Sequence, residues 1–159
     1  MRFTIFLAVI LLSLSGTTVA GQGTPSSSTD DFISMHWEAA STSESVLWYE
    51  LSGSSERVAV EPEAVLGTRH FVTARVTGNQ SSGNLTVEVE MTAEGQRRIR
   101  ELSSANIGRR LAIVLDGDVM AIPKVMSAVG GTAFPLGPML DAGTAEELAR
   151  SINAAIQRI

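Results

Sequence analysis

Cysteine is absent from all 159 residues, which excludes a disulfide framework, a thiolate metal site and a lipid-modified cysteine near the N-terminus. Histidine is nearly absent: His36 and His70 are the only imidazoles. Glu38 lies close to His36, but neither ring has a further ligand at metal spacing, so both read as ordinary surface or half-buried residues. No Gly-x-Ser-x-Gly elbow and no Gly-Lys-Ser/Thr phosphate loop occurs, which leaves no catalytic and no cofactor-binding residue to nominate. Basic residues number 12 against 17 acidic ones, a net charge of −5. The electrostatic footprint of a nucleic-acid binder is missing.

Hydrophobic residues make up 44% of the chain and charged ones 18%, enough to bury the core of one domain. At the N-terminus Arg2 precedes an apolar run, Phe3 to Leu14, followed by small residues through Ala20. That order is a secretory signal, residues 1–20, cut after Ala20. The run of about 12 residues is too short for a spanning helix of about 20, so no stable membrane span remains after cleavage. The expected location is exported, periplasmic or secreted. Residues 21–31 (GQGTPSSSTDD) are small and polar and read as a flexible leader. The folded body is expected over 32–159.

Within that body, Val46 to Leu51 and Val58 to Glu61 are β-type runs around Ser52-Gly53-Ser54-Ser55, which predicts a hairpin. Pro62 to Leu66 reads as one helical turn ended by Gly67, and His70 to Thr77 as a strand. Leu85, Val87, Val89 and Met91 alternate with Thr86, Glu88 and Glu90, a strand with one face on a core. Thr92 caps a predicted helix from Ala93 to Ser104, with Glu94 in its first turn and Gly108 closing the region. Ile99 and Leu102 should face inward, and Arg97, Arg98, Arg100 and Glu101 outward. Thr144-Ala145-Glu146-Glu147 forms a capping box for a second helix, along which Leu148, Ile152, Ile156 and Ile159 recur at helical spacing. Between the helices, Leu111 to Leu115 and Val119 to Ile122 flank Asp116-Gly117-Asp118, the chemistry of a tight hairpin. A turn accounts for the two aspartates better than a cation loop, which needs further oxygen ligands. Pro123 should end that ladder or sit at an edge. Arg97, Arg98, Arg100, Arg109 and Arg110 form the densest basic patch and read as a solvated face. Trp37, Trp48, Tyr49 and Phe71 read as core. Asn79-Gln80-Ser81 and Asn84-Leu85-Thr86 match a glycosylation sequon. The expected architecture is α+β: a small, mostly antiparallel sheet with two main helices packed on one face.

The stretch Val87 to Gly131 (VEVEMTAEGQRRIRELSSANIGRRLAIVLDGDVMAIPKVMSAVGG) resembles the head part of the first periplasmic domain of SecD, the accessory subunit of the bacterial protein-export channel. The matching motif residues are Thr92, Glu94, Gly95, Asn106, Gly108, Leu115, Asp116, Gly117 and Pro123, which the resemblance makes mainly structural. Tyr49 to Thr77 fits the preceding strands more loosely, and Thr132 to Gly143 departs from the pattern. The sequons carry no meaning in the bacterial source this implies. The membrane spans of SecD have no counterpart in this sequence, so its motor activity does not carry over. The resemblance implies a non-catalytic module whose partner is unfolded polypeptide or an export-machinery protein, accessory to protein export. A sheet with an uncovered edge offers the physical route, by accepting an extended strand. The alternative is a structural or envelope-associated domain that reuses the fold.

Overall fold

The computed structural model describes residues 31–79 and 84–159. The expected signal, the leader up to residue 30 and part of the first sequon lie outside the described residues. The described residues form, in order, β1 (Ile33–Glu38), β2 (Leu47–Leu51), β3 (Arg57–Leu66), the 3-10 turn Thr68–His70, β4 (Phe71–Asn79), β5 (Asn84–Met91), α1 (Ala93–Ala105), β6 (Leu111–Leu115), β7 (Asp118–Ala121), β8 (Ala133–Leu140) and α2 (Ala142–Ile156). The class is α+β, but the strands make two sheets rather than one. β1, β3, β2, β7 and β6 close into a barrel, and β4, β5 and β8 form a separate three-stranded sheet. The pairing is antiparallel except between β2 and β7. α2 packs on β4 and β5, and α1 touches β3 and β5.

β1 explains how the two sheets share a core. Ile33, Met35 and Trp37 alternate with Ser34 and His36, and all five are buried. Successive side chains point to opposite faces. The apolar set joins Leu111, Ile113 and Leu115 of β6 in the main core, together with Val87, Val89, Ile99 and Ile152. Ser34 and His36 pair across to Val114 and Ala112 and turn into the barrel. There Val58, Val60 and Val119 complete a second, smaller apolar cluster. In sequence Ile33-Ser34-Met35-His36-Trp37 alternates in polarity, the pattern of a strand with one wet face; here the barrel interior takes the place of water on the polar side.

Pro62 to Leu66 is strand, not a helical turn. β3 runs on through Pro62 because the ladder to β1 skips there: His36 pairs with Ala64 and Glu38 with Val60. A proline sits in such a bulge without removing a ladder hydrogen bond. The predicted β5 alternation is present, with Leu85, Val87, Val89 and Met91 buried and Thr86, Glu88 and Glu90 half-buried. Asp31 belongs to the body, since its Oδ1 accepts from Thr68 N at 2.9 Å. The cap of α2 lies three residues before the predicted one at Thr144. Asp141 caps it, accepting from Thr144 N at 3.0 Å and from the Thr144 hydroxyl at 2.6 Å. Those bonds hold the Asp141 carboxyl below the ordinary carboxylate range. The buried stripe of α2 is Ala145, Ala149, Ile152 and Ala155, and Ile159 lies beyond the helix, exposed.

Candidate functional site

The motif residues fall at caps, turns and close contacts. Thr92 Oγ1 accepts from Gly95 N at 3.1 Å and so caps α1, with Glu94 exposed in the first turn. Gly95 is buried against the carbonyl of His70; a Cβ there would stand 2.7 Å from that oxygen. Asn106 caps the other end of α1: its Nδ2 donates to Leu102 O at 2.8 Å and its Oδ1 accepts from Arg109 Nη1 at 3.1 Å. Gly108 leaves the helix at φ +91°. Leu115 is buried. Asp116 and Gly117 both take positive φ, +48° and +88°, between the paired residues Leu115 and Asp118. That is the two-residue hairpin with both central residues left-handed. Pro123 follows the end of β7 and accepts from Leu111 N through its carbonyl at 2.9 Å.

The basic patch is divided among ion pairs rather than solvated as a whole. Arg98 donates from Nε to Val65 O at 2.7 Å and approaches Glu63, so it anchors α1 to β3. Arg110 pairs with Glu38 at 3.1 Å. Arg109 pairs with Glu61 and lies 5.0 Å over the Trp37 ring. Arg97 and Arg100 are exposed. Of the four aromatics expected in the core, Trp37 and Phe71 are buried and Tyr49 is half-buried, but Trp48 is 39% exposed. It sits beside the Arg57 guanidinium, 5.4 Å from its ring centroid. No group of three His, Asp or Glu among the described residues could hold a metal.

Both histidines are buried, contrary to the sequence expectation. His36 Nδ1 lies 2.9 Å from Glu61 O, so it donates, and Nε2 must then accept from Ser34 Oγ at 3.0 Å. A serine hydroxyl aimed at an oriented imidazole is the geometry of nucleophile and base. This pair, however, is sealed in the barrel with Ser34 and His36 at 1% and 0% exposure. No substrate reaches it, and its role is to satisfy buried polar groups. His70 Nδ1 accepts from Gly67 N at 3.0 Å, while its Nε2 is buried with no partner. Burial lowers both pKa values; the Glu61 and Gly67 carbonyls oppose the shift.

The remaining candidate is a strand edge. A closed barrel has no edge. In the three-stranded sheet, β8 contacts β7 and carries Pro135, which has no amide hydrogen to offer. β4 is the other edge strand. Ala74 N donates to Asn153 Oδ1 and Asn153 Nδ2 donates to Ala74 O, both at 2.8 Å. The peptide groups of Ala74 therefore point away from β5. In an antiparallel ladder such groups alternate, and β4 keeps its register from Thr73 to Asn79. Val76 and Gly78 accordingly turn their amides and carbonyls to the same open side. Neither pairs there with any described residue. Sequence reasoning expected a free edge without placing it. Asn153, the residue that marks it, carried no signal beyond being a polar residue beside Ile152.

This arrangement defines a class: an α+β module with a closed barrel and a three-stranded sheet whose open strand edge, among the described residues, is β4. Residues 44–156 match the model of the SecDF P1 head subdomain, and the chain belongs to that family. It is thus a protein-export-related domain. It is 30% identical over 90 residues to protein translocase subunit SecD of Acidaminococcus fermentans, covering 57% of this chain and 21% of that protein. It is 36% identical over 67 residues to SecDF of Thermus thermophilus, covering 42% of this chain and 9% of the relative. The chain therefore spans only a small fraction of the relatives it matches. The crystal structure of SecDF in its super-membrane-facing form superposes with a TM-score of 0.54 at 29% identity, over 60% of this chain and 13% of that one. A structure of SecDF, described as a membrane component that enhances protein export, superposes with a TM-score of 0.59 over 77% of this chain and 61% of that one. At 19% identity it shares the fold. No helix among the described residues is long and apolar enough to cross a membrane.

Proposed function

We propose that this chain is an exported, non-catalytic module that binds extended polypeptide, accessory to protein export. The observation that carries the reading is the β4 edge, where Val76 and Gly78 present backbone groups unpaired among the described residues, beside the cross-strand ion pair of Arg75 with Glu88. An extended segment adds there through main-chain hydrogen bonds, which are indifferent to sequence. Membership of a family of export components supports a polypeptide or an export-machinery protein as the partner. The motif residues are mainly structural in this reading, because their side chains and backbone are spent on caps and turns.

A reduced and alkylated disulfide protein, fluorescently labelled, tests the reading, with its native oxidised form as the folded control. The unfolded form should bind with micromolar or weaker affinity, since the contact is short and the ligand must be ordered. Equal binding to both forms, or to neither, favours the structural or envelope-associated alternative.

Export belongs to the same proposal and rests on the order of Arg2, the apolar run and Thr18-Val19-Ala20. The intact mass of the protein from an envelope fraction should correspond to a chain beginning at Gly21. A mass that retains residues 1–20 in the membrane pellet would mean an anchor.

A further inference from the structure

Resting on that reading, we infer that Asn153 is an intramolecular competitor for the strand site, so that the acceptor edge runs from Ala74 to Gly78 and is partly plugged by α2. A side-chain amide carries one carbonyl oxygen and one NH2 group, the donor and acceptor of a peptide group. Asn153 presents both to Ala74, accepting its N–H and donating to its C=O at 2.8 Å each. The Thr73 hydroxyl adds a third bond to Asn153 Oδ1 at 3.2 Å. This is the hydrogen bonding that a neighbouring strand would make with an outward-facing residue of β4. Covering an edge in this way is how sheets avoid unwanted pairing.

The plug is one side chain, on the last turns of a helix that ends at Ile156. Its neighbours Ile152 and Ala155 are buried and hold the helix in place. Release therefore needs the Asn153 amide to leave Ala74 and the last turns of α2 to give way locally, while Ile152 keeps the body of the helix docked. The two outward residues beyond it, Val76 and Gly78, receive the first part of an incoming segment. Displacing Asn153 extends the ladder to Ala74. The protein thus favours ligands long enough to compete with its own amide, and short segments stay weakly held.

The test uses the full chain and the reduced, alkylated polypeptide with its folded control. Asn153→Ala should bind the unfolded form about tenfold tighter, the worth of one or two net hydrogen bonds no longer contested, while its melting temperature falls. In the unliganded variant the Ala74 amide should exchange freely and regain protection when polypeptide is added. A lower melting temperature with unchanged affinity makes Asn153 merely structural and overturns the inference, leaving strand addition at Val76 and Gly78 intact. Absence of binding by both proteins overturns the inference and the polypeptide reading together. If the variant fails to fold, the wild-type chain decides by NMR. The Asn153 side-chain amide signal should move to its solvent-exposed position at saturating polypeptide, and a signal that stays fixed overturns the inference.

Discussion

Gly95→Ala should lower the stability of the domain by about 3 kcal/mol, the upper range for forcing one extra carbon into a packed site. The added Cβ would stand 2.7 Å from His70 O and 3.1 Å from His70 Cβ. The first of these is backbone, which cannot swing aside. The same carbonyl accepts from Thr92 N at 2.9 Å, so moving it breaks the entry to α1 as well. Alanine is the better helix former by about 1 kcal/mol, and that gain is outweighed. Gly108→Ala is a useful contrast, because nothing lies within 4 Å of a Cβ there and its strain is that of φ +91° alone. Urea unfolding followed by circular dichroism measures both. An unchanged midpoint for Gly95→Ala would show that α1 can slide off the 3-10 turn at no cost, contradicting the contact described.

His36→Ala should cost about 4 kcal/mol, combining a cavity in the barrel with the loss of partners for Ser34 Oγ and Glu61 O. It should also change the response to acid. Burial lowers the folded pKa of His36 and of His70 from the ordinary 6.5. Below 6.5 the unfolded chain then binds protons that the folded chain refuses. Stability is therefore fully present above pH 6.5 and falls as pH drops through the window below it. Urea midpoints measured from pH 8 to pH 4 should show this decline, and His36→Ala should make it shallower while His70 preserves part of it. A decline of equal steepness in both proteins would assign the acid sensitivity elsewhere.

The sequence made legible those parts of the molecule whose local chemistry and tertiary environment agree. The Asp116-Gly117 turn, the Thr92 cap and the alternation of β5 all obey rules that act over a few residues, and each stands where the pattern predicts. β1 does alternate in polarity, but the burial of Ser34 and His36 on its second face is set by the distant partners β3 and β6 and is not written in that pattern. β3 was cut short at Pro62 because the bulge that tolerates it exists only in the pairing with β1. The cap of α2 was misplaced because Thr144 fits a capping box equally well as the residue bound by Asp141. The caps and turns are readable from local chemistry, but the edge of β4 is not. Its outward groups are fixed by which residues of β4 face β5 and by the single amide of Asn153. No local pattern encodes either.

The barrel also dictates when this domain can fold. β1 is its first strand in the chain, yet it pairs with β3 on one side and with β6 on the other, Ile33 standing opposite Leu115. β7, which closes the ring between β6 and β2, comes later still. A chain emerging N-terminus first presents β1 long before its second neighbour exists, and the loop to be closed, from Ile33 to Leu115, is more than half the length of the domain. Non-local pairing of this kind is slow, and the early strands have little to gain by ordering alone. Vectorial passage through a channel would therefore find the polypeptide unfolded until most of it had crossed, with the far side as the place where the ring first shuts.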